Sequence, residues 1–253
     1  TLLAMTRASG VVVVFCVIFS CHSIAAEQTI SALPPLTIKN LTGEVITYDI
    51  KQGILKIGSA KMIFEGLVTK GSELSVLIHV MWKVPGFKTD ERIYVDPQTF
   101  RPRVIYKDRK KFGCKIQVLE DYFPVEGKVS IGRDMCGVKT QQVSSRGAPV
   151  ESIYAMIYHL RMNSSIDDVP PFTVHLPDRD EHFKLEEIKK LNFDRQSYQA
   201  RHFVSETFGI WIDPSHDRLP LRIDSSEDHK VTMVMRSRTF SLHPEKETEE
   251  IEK

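Results

Sequence analysis

From Glu44 onward, apolar and polar residues alternate in short runs bounded by turn residues. The stretch 44–51 sets Val45, Thr47 and Asp49 against Ile46, Tyr48 and Ile50, the period-two pattern of a half-buried strand. Similar runs cover 54–64, 74–82, 89–106, 112–119 and 138–143. More follow at 172–176, 199–205, 208–212, 219–223 and 230–236. Gly58 interrupts its run and marks a bulge or a close backbone approach. Gly71-Ser72 and Pro85-Gly86 supply turns. The stretch 184–192 is ambiguous: Leu185, Ile188 and Leu191 have helical spacing, but the neighbouring strands argue for a hairpin arm.

One phrase occurs twice. Ile93-Tyr94-Val95-Asp96-Pro97 runs on to Arg101-Pro102, and Ile210-Trp211-Ile212-Asp213-Pro214 runs on to Arg218-Leu219-Pro220. An Asp side chain accepts from an amide two residues on, and the Pro after it holds φ for a turn. Pro102 and Pro220 cannot donate to a ladder, so each belongs at the start of a strand or on an edge. Ile93 and Val95 face away from Tyr94, and Ile210 and Ile212 away from Trp211.

The segment 149–162 breaks the rhythm. Val150, Ile153, Tyr154, Ile157 and Leu160 line one face of a helix. Pro149 suits its first turn, and Arg161 meets the negative end of its dipole. The expected fold is therefore mainly β: an antiparallel sheet or barrel of successive hairpins, with one helix packed against it. The expected organisation is a leader over 1–26, an irregular lead-in over 27–43, one β domain over 44–240 with its helix at 149–162, and a disordered acidic tail over 241–253.

The leader reads as an export signal. Arg7 supplies its positive charge, 11–19 is unbroken apolar, and Ser23-Ile24-Ala25 places small residues where a signal peptidase reads. The apolar run is shorter than the ~20 residues a membrane span needs, so no span is expected in the mature chain. A lipoprotein signal acylated at Cys21 is the alternative. The expected location is the periplasm.

Removing Arg7 with the leader leaves 33 Lys+Arg against 33 Asp+Glu. That balance lacks the net basic face nucleic acid requires. Cys114 and Cys136 are the cysteines outside the leader, and an even count in an exported chain points to a disulfide, with free buried thiols as the other reading.

The element order now resembles a known family. Tyr48-Asp49-Ile50 and Lys56-Ile57-Gly58-Ser59-Ala60-Lys61 open the pattern. Val150-Glu151-Ser152-Ile153-Tyr154, closing on Leu160-Arg161, follows, and Gly209 to Pro214 with Leu219 to Ile223 end it. This resembles the exported bacterial proteins of domain-of-unknown-function family 3108. The resemblance implies an envelope location and a curved antiparallel sheet or half-barrel, and brings no catalytic residues. The hairpin pattern is also similar to periplasmic lipoprotein carriers of the LolA/LolB type, which hold a helix in a concave sheet and bind acyl chains.

Chemistry is sparse. The chain has no Gly-x-Ser-x-Gly elbow and no glycine-rich phosphate loop before a helix. Its histidines lack the spacing of a metalloprotease helix. No catalytic, cofactor-binding or metal-ligating residue is singled out. The leading expectation is a non-enzymatic protein holding a lipid or other hydrophobic ligand in the concave sheet, with Trp82, Phe87, Tyr94 and Trp211 as lining residues. The alternative is a structural or scaffolding role in which the sheet surface or an edge strand engages an envelope protein. An uncharacterised hydrolase is the third reading.

Overall fold

The computed structural model describes residues 36–162, 169–193, 196–215, 217–226 and 230–241. The expected export signal, Cys21, the acidic stretch 242–253 and the turn expected at Asn163-Ser164-Ser165 lie outside the described residues.

Eight strands come first: β1 (Glu44–Gln52), β2 (Leu55–Lys70), β3 (Glu73–Val84), β4 (Phe87–Val95), β5 (Pro102–Lys111), β6 (Cys114–Phe123), β7 (Lys128–Met135) and β8 (Val138–Ser145). A short helix, α1 (Ile38–Leu41), precedes them, and α2 (Ile153–Met162) follows. The chain continues with β9 (Phe172–His175), β10 (Asp180–Phe193), β11 (Gln196–Val204), β12 (Phe208–Ile212), β13 (Pro220–Ser225) and β14 (Val231–Phe240).

Neighbouring strands pair antiparallel, and β1 also pairs with β14. The result is one 14-stranded sheet in the order β8-β7-β6-β5-β4-β3-β2-β1-β14-β13-β12-β11-β10-β9. Its two end regions meet. Ser144 donates to the Pro177 carbonyl at 2.5 Å, Arg146 to Asp180 at 2.6 Å, and the Glu151 amide to the His175 carbonyl at 2.8 Å. A sheet whose ends touch must curl. It stays an open half-barrel because β8 and β9 share no ladder.

Alternation decides which side chains enter the concavity. Ile46, Tyr48 and Ile50 enter from β1, Met62 and Phe64 from β2, Ile78 and Val80 from β3, and Ile93 and Val95 from β4. Ile210 and Ile212 enter from β12, and all join one core with Val150, Ile157 and Tyr158 of the helical segment. Gly58 is a close approach: a Cβ there would overlap the Lys83 carbonyl of the next strand.

Both copies of the repeated phrase form the expected hairpin, and they match in register. Val95 pairs with Pro102 and Ile212 with Pro220, each next to a bulge. Asp96 Oδ1 accepts from the amides of Gln98 at 3.0 Å and Thr99 at 2.8 Å. Asp213 Oδ1 accepts from Ser215 N at 3.1 Å. The residue before Arg101 and the residue before Leu219 both take left-handed backbone: Phe100 at φ 56° and Arg218 at φ 45°. Pro102 and Pro220 are the first residues of β5 and β13.

Three expectations change. The lead-in is not wholly irregular: Thr37 and Asn40 form a capping box that starts α1. The helix α2 begins at Ile153, later than Pro149, because Glu151 is drawn into a bond with His175 and the Ser152 carbonyl accepts the first helical amide, Met156 N at 2.9 Å. The ambiguous stretch is part of the long strand β10, paired with β11 from Lys184 to Phe193. The strand β7 lies between the runs expected over 112–119 and 138–143.

Candidate functional site

The concave side of the sheet is occupied by α2. Six of its ten residues are buried, including Ala155, Met156, Ile157, Tyr158, Leu160 and Arg161, and these positions go round the helix instead of forming one stripe. Burying one large apolar side chain contributes ~1.5–3 kcal/mol, so the helix is firmly seated.

The C-terminal end of α2 is held by charge. Arg161 and Glu44 are both fully buried and form a two-pronged pair, Nη1 to Oε2 at 2.5 Å and Nη2 to Oε1 at 2.9 Å. Arg161 Nε donates to the Arg218 carbonyl at 2.8 Å, and Arg218 Nη1 donates back to the Arg161 carbonyl at 2.9 Å. The second bond caps the helix with a cation where its dipole is negative. Arg238 completes the group, reaching Glu44 at 2.7 Å and Asp217 at 2.8 Å. Burial alone would lower the Arg161 pKa, but the bonds to Glu44 outweigh it and raise the value. Burial, reinforced by Glu44, raises the Tyr158 phenol.

Both Asp-Pro loops reach this helix end. Arg218 belongs to the second; in the first, Phe100 stacks on His159 with ring centres 6.2 Å apart and on Phe64 at 6.4 Å. The repeated phrase thus builds two clamps on one helix terminus.

A second polar group faces the concavity from β4 to β6. Glu91 accepts from Arg109 at 3.0 Å, Lys107 meets Glu120 at 2.5 Å, and the Tyr122 hydroxyl donates to Glu120 at 2.8 Å. Burial, helped by Glu91, raises the phenol of Tyr154 on α2. Each carboxylate here is already matched by a cation, so the group is built for neutralisation inside the fold. Among the described residues no group of three or more His, Cys, Asp and Glu side chains could hold a metal ion.

The four aromatics expected to line one ligand site do not converge. Trp82 and Phe87 lie together at one end of the inner face, rings 5.6 Å apart and edge-on. The Trp82 indole Nε1 is buried without a hydrogen-bond partner. Tyr94 alternates with the buried Ile93 and Val95 and so faces outward, edge-on to Tyr106 with centres 6.0 Å apart and with Lys70 Nζ 5.1 Å from its ring. Trp211 also faces outward, stacked on His202 at 3.8 Å and bonded through Nε1 to Asp224 at 3.1 Å. Helix α2 occupies the space these four residues would have to share. Cys114 and Cys136 are joined in a disulfide that ties the tip of the β5–β6 hairpin to the β7–β8 turn.

The outer face carries its own features. His79 Nε2 lies 2.9 Å from Asp90 and Nδ1 3.5 Å from Glu65. Burial would lower the His79 pKa, but its two carboxylate partners prevail and carry it up to about 9. A shallow cleft of about 520 Å³ opens where Lys61, Lys83, Lys88 and Arg236 surround Met81. Sequence reasoning missed Glu44, Arg218 and these lysines. Only the repeated phrase, with its Arg, was a signal for one of them.

Comparison with solved structures finds a likeness. A crystal structure of a β-barrel-like protein of domain of unknown function DUF1849 from Brucella abortus shares 9% identity with the chain, at a TM-score of 0.48. The match covers 79% of this chain and 98% of that one. No protein-family model and no curated protein matches the chain. The resemblance to family 3108 and to the lipoprotein carriers therefore rests on the quoted residues alone.

Proposed function

We propose that the chain is an exported, non-enzymatic protein of the cell envelope, with a structural or scaffolding role carried out by the outside of its sheet. The observation that carries this reading is the seating of α2 in the concavity, where six of its ten residues are buried and His159 is left exposed. A ligand in the concavity would require α2 to move, and here the helix end is bolted down through Glu44, Arg161 and Arg218. The disulfide between Cys114 and Cys136 suits an oxidising compartment.

The edge strand β8 is the surface best suited to a protein partner. It is exposed along almost its whole length, and it presents Val138 and Val143 beside a free row of backbone donors and acceptors. Such an edge takes an extended segment of another protein as an added strand. A photo-crosslinking residue in place of Val143, used in the native envelope, tests this: the expected product is a discrete protein adduct. A lipid adduct there, or stoichiometric lipid extracted from the purified protein, would restore the carrier reading.

A further inference from the structure

Register places four lysines in one rank. Lys83 lies directly opposite Lys88, Lys88 opposite Lys110, and Lys110 opposite Lys115, on the consecutive strands β3, β4, β5 and β6. Directly opposed residues of an antiparallel ladder share a face, so all four lysines project from the outside of the sheet. At ~4.8 Å between strands the rank is ~14 Å long. All four are exposed, and none makes an ion pair among the described residues. Like charges set directly opposite one another weaken a ladder. A rank of four is therefore a cost to the fold with no return inside it. Asp90 and Asp108, opposite each other in the next row, are already held by His79 at 2.9 Å and by Arg92 at 3.4 Å.

The opposite ends of these strands are different. There Lys128 pairs with Glu126 at 3.0 Å, and Arg103 pairs with Asp96 at 2.6 Å and with Glu73 at 3.1 Å. At this end of β3 to β6 the four lysines stand without such partners. Lys61 and Arg236 extend the rank around the outer cleft.

The same edge carries apolar tips. Ile54 is 95% exposed and Leu55 67% exposed at the β1–β2 turn, and Phe112 is 84% exposed at the β5–β6 turn. Phe112 takes left-handed backbone at φ 47°, a conformation that costs a bulky residue strain. Gly86 of the intervening turn leaves room for its ring. The turns follow one another along the edge in strand order, so the tips and the lysines lie along one border.

We infer that this border docks on a bilayer surface rich in anionic phospholipid, with the lysines on the phosphates and Ile54, Leu55 and Phe112 in the interfacial layer. A flat rank of flexible ammonium groups, one per strand, matches an extended field of phosphates better than a single bound anion. The protruding apolar tips have no use against a soluble polyanion, but they suit the boundary between headgroup and acyl chain. The inference rests on the lysines of β3 to β6 and the tips of the β1–β2 and β5–β6 turns, and does not depend on how the edge of β8 is used.

Each basic side chain near an anionic leaflet strengthens partitioning about fivefold at moderate salt, so the rank together accounts for several hundredfold. Co-flotation with vesicles of equimolar phosphatidylcholine and phosphatidylglycerol should carry the protein, vesicles of phosphatidylcholine alone should not, and high sodium chloride should release it. Changing Lys83, Lys88, Lys110 and Lys115 together to Gln should abolish flotation without lowering the melting temperature, because all four are exposed and their mutual repulsion is relieved. Changing Ile54 and Phe112 to Ser should weaken flotation while leaving its salt dependence in place. Equal flotation with neutral vesicles, full flotation of the four-Gln variant, or equally tight binding to soluble polyglutamate would each overturn the inference; the last would make an acidic polymer the partner.

Discussion

Arg161 and Arg218 hold each other by the backbone: the guanidinium of each donates to the carbonyl of the other, at 2.8 and 2.9 Å. One residue ends the helix that fills the half-barrel, and the other belongs to the second Asp-Pro loop. Fully buried Glu44 neutralises the pair's interior end. The lock joins the start of β1, the end of α2 and the loop before β13, so three distant stretches of chain must arrive together.

Glu44→Gln leaves a buried guanidinium without its counter-charge, which typically costs about 3–5 kcal/mol. Urea denaturation should register a loss of that size. Replacing both partners, Glu44→Leu with Arg161→Met, should cost clearly less than the single change, because the fully buried guanidinium leaves with its counter-charge and Arg238 keeps Asp217. Equal losses would mean that the pair is not coupled.

His79 gives stability a dependence on alkaline pH. Its pKa is raised from 6.5 to about 9 in the folded state, so the folded protein holds the proton more tightly. The contribution is complete below pH 6.5 and is lost as pH rises through about 9. Allowing for solvent screening, the effect should be roughly 1–2 kcal/mol. Denaturation midpoints taken across this range should fall for the parent chain and stay flatter for His79→Gln.

Gly58 is a packing requirement. A side chain there would meet the Lys83 carbonyl and Val84, and backbone atoms do not yield as a flexible side chain does. Gly58→Val should cost about 2 kcal/mol or more, read as a lower melting temperature.

The disulfide spans a sequence separation of 22, for which loop closure is worth about 3 kcal/mol. Cys114→Ser with Cys136→Ser should lower stability by that order and remove any effect of reductant on the melting temperature. A melt that still responds to reductant in the double variant would contradict this assignment.

The sequence displayed the hairpins because their information is local. Alternation in β1, the two Asp-Pro turns and the strand-opening Pro102 and Pro220 all speak within a few residues. The bounds of β7 were obscured because Gly132 and the charges of Arg133 and Asp134 interrupt its alternation. The lock was hidden for a different reason: Arg161 and Glu44 are 117 residues apart, and each alone reads as surface charge. The burial of Arg161 on α2 was concealed by its charge, which in the sequence marked only the negative end of the helix dipole. The lysine rank has no period in the sequence. It exists only once the strand register is known, as do the separate faces of Trp82, Tyr94 and Trp211.

Amide hydrogen exchange along α2 bears on the occupied half-barrel more closely than any other experiment. If the helix is a permanent filling, the amides from Ile157 to Met162 exchange only when the whole domain unfolds, at the rate of the central strands β1 and β2. Exchange of those amides well ahead of the strands would mean that the helix swings out, and that the concave face is a binding site after all.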